Sequence, residues 1–377
     1  MIDRGGRIAA LAAPTLLGLA LVVAAPRALH AEPGEAATGD WGGARTMLED
    51  HGVHLDLDYT GEVFSLPGDG TAAYRGDFDA IATLDLDKLG LWSCGTLFVY
   101  GQNAHGDGVS DDFTALMPVS NLEAESFTQL SELWLAQCLG TERLVVRLGK
   151  QDANRDFASP RFGGNFLNSS YGVIPTAPMP SFPSPGLGAA LFATATDWLE
   201  LRGAVYEGAP TIHSFGENAF DDGAGVFAVT QVVLRHDLFG QPSGQHAIGA
   251  WTHTGQERSG LFAVVDWLVR LHPEDSSDTR AFQLFARGGW SEDSPLAPGA
   301  IDAYVGGGFT AHGFLGANHT VGLGAATARA DGAHETFVEL FCKLRFVPWL
   351  TLEPEAQVYF TSAGDKLALG VRAKLKL

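Results

Sequence analysis

The chain has 377 residues, 46% of them hydrophobic and 18% charged, with 44 acidic side chains against 24 basic ones and a net charge of −20. That balance excludes a nucleic-acid-binding surface, which needs clustered lysine and arginine to neutralise phosphates. Three cysteines are too few for a disulfide scaffold and lack zinc-ligand spacing.

In chain order, Arg4 and Arg7 precede an almost wholly apolar stretch, 8–25, and Ala31 offers a small residue for cleavage. Residues 1–31 therefore read as a secretory signal, with the mature chain starting near Glu32. No apolar run of 18 or more residues follows, so no transmembrane helix is expected. Strong helical periodicity occurs once, over 39–52, and stops at Gly52, where a helix C-cap glycine belongs. It places a short periplasmic helix in the segment 32–52, ahead of a β domain spanning 53–377.

From Val53 onward the pattern has period two. Val53, Leu55, Leu57, Tyr59 and Val63 share one face, and His54, Asp56, Asp58, Thr60 and Glu62 the other. In the last segment Leu367, Leu369, Val371, Ala373, Leu375 and Leu377 alternate with Lys366, Ala368, Gly370, Arg372, Lys374 and Lys376. Sixteen candidate strands follow: 53–64, 74–87, 95–103, 126–137, 143–151, 187–194, 198–206, 224–235, 246–253, 260–271, 280–290, 302–310, 320–328, 335–346, 349–360 and 366–377. Such segments are long enough to cross a bilayer at a tilt, whereas most globular strands are shorter. Strongly apolar faces recur at both ends of the chain, where a soluble sandwich would need protected edges.

The fold expected is all-β: a closed transmembrane antiparallel β-barrel of about sixteen strands. Stretches 226–234 and 261–271 are apolar on both faces, which leaves their register ambiguous. Connections 65–73, 104–125 and above all 152–186 read as long outer loops, with 88–94 and 138–142 as short periplasmic turns. Cys94 and Cys138 then fall at the periplasmic ends of neighbouring strands, where a disulfide is geometrically reasonable. Cys342 falls on the lipid-facing side as packing. Tyr59, Trp251 and Trp267 are candidates for the interfacial aromatic girdles.

The stretch Gly39-Asp40-Trp41-Gly42-Gly43-Ala44-Arg45, the run Leu148-Gly149-Lys150-Gln151-Asp152-Ala153-Asn154, and the segment from Phe166 to Pro180 resemble the carbohydrate-selective porins of the OprB type. Asp197-Trp198-Leu199 and Val205 to Pro210 extend the resemblance over nearly all of the chain after the signal. It implies a sixteen-stranded outer-membrane barrel passing monosaccharides and similar small polar solutes down their gradient, with no cofactor. Implied partners are carbohydrate solutes and outer-membrane lipid, with a homotrimer open.

A constriction for a neutral, hydroxyl-rich solute calls for charged and amide hydrogen-bonding groups beside aromatic rings. The candidates on the lumen-facing parity or at the root of the long loop are Glu132, Trp134, Arg143, Arg147, Lys150, Asp152, Asn154, Arg155 and Arg202. The plainer role for these charges is pairing with one another to support the wall. Asp56, Asp58, Asp77 and Asp79 are expected to neighbour the basic face of the closing strand, either as cross-strand pairs or as a transverse field. An outer-membrane barrel enzyme acting on lipid or glycan is the rival from another class. The chain has no G-x-S-x-G and no H-E-x-x-H. His246, His253, His312 and His319 read as solvated residues in or beside turns. A non-selective diffusion pore is the third reading.

Overall fold

The computed structural model describes residues 34–219, 221, 223–238, 241–272, 274, 275 and 277–377. The signal segment expected over 1–31 lies outside the described residues.

Sixteen antiparallel strands close into one barrel. The first quarter comprises β1 (Val53–Leu66), β2 (Thr71–Asp85), β3 (Gly95–Gly106) and β4 (Phe127–Cys138). Next come β5 (Leu144–Gln151), β6 (Gly186–Thr196), β7 (Leu199–Glu207) and β8 (Val226–Leu238). The third group is β9 (Gln241–His253), β10 (Arg258–Arg270), β11 (Ala281–Ser291) and β12 (Ile301–His312). The last is β13 (Thr320–Ala330), β14 (Ala333–Val347), β15 (Leu350–Thr361) and β16 (Gly364–Lys376). Each strand pairs with its sequence neighbours, and β1 pairs with β16 with Tyr59 opposite Leu375 and Val63 opposite Val371. Closure satisfies every strand edge within the wall, which a bilayer demands because it offers no water to unpaired backbone groups.

The alternation sorts side chains by solvent. Val63, Leu148, Val205, Ile248, Leu261 and Val371 stand exposed on the outer surface, as a lipid-facing band requires. Trp267 lies on that outer face, and Tyr59 meets the Tyr74 hydroxyl there with His105 Nε2 at 3.2 Å. Trp251 does not. It is only 3% exposed, faces the lumen and stacks on Phe227 at 6.0 Å. β9 starts at Gln241, ahead of the expected 246, and its lumen parity runs through Gly249, Trp251 and His253. His253 is accordingly buried and bonded to the Gly208 carbonyl at 2.7 Å rather than solvated.

The first outer connection is also shorter than expected. β1 and β2 run on to Leu66 and Thr71, leaving only 67–70 as a turn instead of a loop over 65–73. The periplasmic connection 86–94 is joined to the end of β4 by a disulfide between Cys94 and Cys138, with Cα atoms 5.7 Å apart.

The helix expected near the N-terminus is α1 (Ala44–Asp50), preceded by a single 3-10 turn, Trp41–Gly43. Gly52 ends it at φ +87°, and a Cβ there would sit 2.7 Å from Lys88 Cβ, so only glycine fits. Arg45 donates to the Leu377 carbonyl at 2.8 Å, and Ala37 N–H to the Lys376 carbonyl at 2.8 Å. The helix therefore lies at the periplasmic end of the β1–β16 seam.

Two outer loops, 107–126 and 152–185, fold into the lumen. Phe157, Phe166, Leu167, Tyr171 and Ile174 of the longer loop are buried. Phe166 packs on Phe285 and Phe341 at 5.3 and 4.9 Å, and Tyr171 on Phe337 at 5.3 Å. This explains the strands that are apolar on both faces. Phe227, Val229, Phe262 and Val264 point inward and are covered, so the inner wall of β8 and β10 is core rather than water-filled lumen.

Candidate functional site

The site grows from the junction of β4, β5 and the inward loop. A bulge in β4 leaves Ser131 unpaired, with Glu132 opposite Tyr100 and Leu130 opposite Gly101 of β3, and shifts the parity of β4. Ser131 and Glu132 are consequently both buried, and Glu132 is 1% exposed. Gly149 supplies a second irregularity at φ +134°, where a Cβ would lie 2.2 Å from the Leu133 carbonyl oxygen. Only glycine lets β5 approach β4 this closely, and the next residue, Lys150, turns inward to donate to the Leu130 carbonyl at 3.1 Å.

Glu132 is the hub. It accepts from Trp134 Nε1 at 3.2 Å, from the Asp152 N–H at 3.1 Å, and from the Arg155 guanidinium. Asp152 caps the next turn by accepting from Asn154 N–H at 2.7 Å. Burial, then the neighbouring Glu132, push the Asp152 carboxyl up to about 6. Arg147 pairs with Asp156 and donates to Gln151 Oε1 at 2.5 Å. Arg202 pairs with Glu200 at 2.6 Å and donates to the Asp156 carbonyl at 2.6 Å. Seven of the nine expected residues are therefore joined, Arg147 through the face of the Trp134 ring, and Lys150 stands beside them on the Leu130 carbonyl.

The ninth, Arg143, stands apart. β5 begins at Leu144, so Arg143 belongs to the periplasmic turn and pairs with Asp197 at 2.9 Å, largely in solvent. It does not reach the lumen cluster, because the strand face from which its orientation was inferred starts one residue later.

Aromatic rings organise these arginines. Phe98 and Trp134 stack at 4.6 Å. Arg155 lies over Phe98 at 4.8 Å, and Arg147 over both Trp134 and Phe192 at 4.8 and 5.0 Å. The guanidinium groups cover the ring faces, and the carboxylates they pair with are largely buried behind them. A ring that orients a cation limits the motion lost when that cation bonds a solute. Arg155 remains 40% exposed in its side chain, the most open cation of the group's ion pairs.

The opposite wall holds the loops in place, through residues not singled out in the sequence. Glu339 accepts the Leu167 and Asn168 N–H groups at 2.8 and 3.2 Å, and Glu335 those of Leu116 and Met117 at 3.0 and 2.8 Å. Arg287 donates to the Ala158, Gly172 and Ser170 carbonyls. Carboxylates thus meet loop donors and a guanidinium meets loop acceptors, the charge-assisted pairings that are stronger than neutral ones. The two loops also bond each other, Asn121 N–H to the Leu167 carbonyl at 2.7 Å and Ser169 N–H to that of Pro118 at 3.1 Å. The sequence signal for the acidic anchors is charge at lumen parity, Glu335 and Glu339 alternating with Thr336, Val338 and Leu340.

The basic face of β16 does meet acids, one of them, Asp58, from the expected set and the other, Glu62, from outside it. Arg372 pairs with Glu62 and Lys374 with Asp58, at 2.6 and 3.0 Å. Asp77 and Asp79 turn the other way, to Gln102 at 2.9 Å and to the Tyr100 hydroxyl.

Comparison with known proteins agrees with this architecture. The family model "Carbohydrate-selective porin, OprB family" matches residues 69–257 and 238–377. Porin B of Pseudomonas aeruginosa is 31% identical over 146 residues, 35% of this chain, and the match spans about a third (32%) of that relative's own length. In fold, the high-pH structure of Pseudomonas putida OprB superposes with a TM-score of 0.80 at 20% identity, covering 93% of this chain and 100% of that one. The low-pH structure of the same protein gives 0.68 at 21%, covering 92% and 100%. With an apolar outer face on a closed barrel, the molecule is a multi-pass β-barrel of the bacterial outer membrane. The chain belongs to the OprB family of carbohydrate-selective porins.

Proposed function

We infer that this chain forms a water-filled channel for passive diffusion of carbohydrates, monosaccharides and similar small polar solutes, across the outer membrane. The observation that carries this reading is the network on Glu132, in which Arg155, Trp134 and the loop root converge beside the Phe98 and Phe192 rings. It offers charged donors and acceptors in alternation, which suits a solute rich in hydroxyls and without net charge. Family and fold support a channel rather than an enzyme.

The reading as a non-selective pore differs in one respect only: sugars would pass at rates set by size. Swelling of liposomes carrying the purified protein separates the two. Selective passage gives faster swelling in glucose than in a neutral polyol of equal size, and loss of that difference in Arg155→Ala. Equal rates for all solutes of one size would leave only the non-selective pore.

A further inference from the structure

Beneath the inward loop, on the side away from the Glu132 network, the lumen opens into a cavity of about 490 Å³. That volume lies within the roughly 300–1,000 Å³ usual for small-molecule sites. Its roof is formed by Asn165 and Gln283, which bond each other at 3.0 Å, and by Lys343, which donates to the Asn165 carbonyl at 3.2 Å. Its floor is the periplasmic rim, with Trp349 at the β14–β15 turn.

The strand register shows how charge is distributed there. One row across the wall is balanced: Lys343 meets Glu353 at 3.4 Å, Glu353 lies opposite Arg372, and Arg372 opposite Glu62. The next row towards the periplasm is not. Arg345 lies opposite Thr351, Thr351 opposite Lys374, and Lys374 opposite Thr60, so threonines stand where the first row has carboxylates. Asp58 lies opposite Lys376 but pairs instead with Lys374 at 3.0 Å. The Arg345 guanidinium donates only to the neutral Pro348 carbonyl, at 2.8 and 3.2 Å. Among the described residues, no carboxylate forms an ion pair with Arg345 or Lys376. Asp56 is the one other acid on the cavity wall. In a protein of net charge −20, this is a cationic pocket with hydroxyl and amide groups beside it.

We propose that this vestibule is a second solute site that selects sugars bearing a carboxylate, such as hexuronates and aldonates. Arg345 and Lys376 take the carboxylate, an arrangement to which a guanidinium fork is suited. Thr351, Asn165 and Gln283 meet the hydroxyls. The inference rests on the channel reading and adds a substrate class to it.

The test uses the full-length protein in planar bilayers, with glucuronate or glucose added on the periplasmic side and closure of single channels recorded. Glucuronate is expected to close the channel at a concentration at least about fivefold below glucose, a difference of about 1 kcal/mol. Arg345→Gln and Lys376→Gln should each bring that ratio towards one. The ratio is measured within each open channel, so reduced assembly of a variant does not affect it. Equal closing concentrations in the wild type, or a preference that survives both variants, would overturn the proposal. If glucose closes the channel and glucuronate never does, the vestibule site alone is lost. If neither solute closes it, the sugar-channel reading falls as well.

Discussion

Arg372 on β16 and Glu62 on β1 meet at 2.6 Å across the seam that joins the two ends of the barrel, and both are largely withdrawn from water. The same guanidinium donates to Ser120 Oγ at 2.9 Å and Asn121 Oδ1 at 2.8 Å on an inward loop. One pair therefore contributes both to closure and to loop placement. Arg372→Ala leaves a carboxylate buried without its counter-charge, which costs about 3–5 kcal/mol. The urea midpoint for loss of the heat-modifiable folded band should fall markedly. Recovery of part of that loss in Arg372→Met with Glu62→Gln would attribute the cost to the stranded charge, and an unchanged midpoint in Arg372→Ala would refute the role.

The inward loop should behave as a partial plug. Glu339 holds two of its amides and Arg287 three of its carbonyls. Hydrogen bonds to charged groups contribute roughly 1.5–3 kcal/mol each. Arg287→Met should therefore release the loop, raise single-channel conductance and make 152–185 accessible to protease in the folded barrel. Conductance and cleavage both at wild-type values would show that packing of Phe166 and Tyr171 alone suffices.

Most of the wall was readable as sequence. Each of the sixteen strands overlaps one of the expected segments, most of them with period two, because lipid outside and water or loop inside impose opposite demands on successive residues. Errors arose where that rule weakens. β9 begins through Gln241, Pro242, Ser243 and Gly244, whose turn chemistry masks the strand. Trp251 faces the lumen rather than a girdle because a lumen wall covered by a loop accepts aromatics as readily as a girdle does. The bulge at Ser131 and the close approach at Gly149 depend on backbone contact between strands, which no local pattern encodes. The loop path was hidden for a similar reason: its anchors, Glu335, Glu339 and Arg287, lie far away in sequence.

The Cys94–Cys138 link should form in the oxidising periplasm. It closes a sequence separation of 44, which on the chain-entropy estimate corresponds to at most about 4 kcal/mol. Non-reducing electrophoresis of the denatured chain should show faster migration than the reduced form. Cys94→Ser and Cys138→Ser should each abolish the shift, whereas Cys342→Ser should leave it intact. A shift that disappears only in Cys342→Ser would contradict the pairing.

We propose that Trp134 acts on solute through Arg147, whose guanidinium lies over its ring at 4.8 Å. Trp134→Ala removes a stacking contribution of about 1 kcal/mol, and the glucose concentration needed for half-closure should rise about fivefold. Trp134→Phe keeps a ring face and should recover most of that affinity. Failure of the phenylalanine variant to do better than alanine would mean that the indole N–H bond to Glu132 matters more than the ring.

The most direct measurement is single-channel recording of the purified protein in planar bilayers with increasing glucose. Discrete open channels that glucose closes in a saturable manner, with half-closure shifted upward in Arg155→Ala and Glu132→Gln, are the expected result. Open channels that glucose leaves unaffected at any concentration, or no conductance at all from correctly folded barrel, would contradict it.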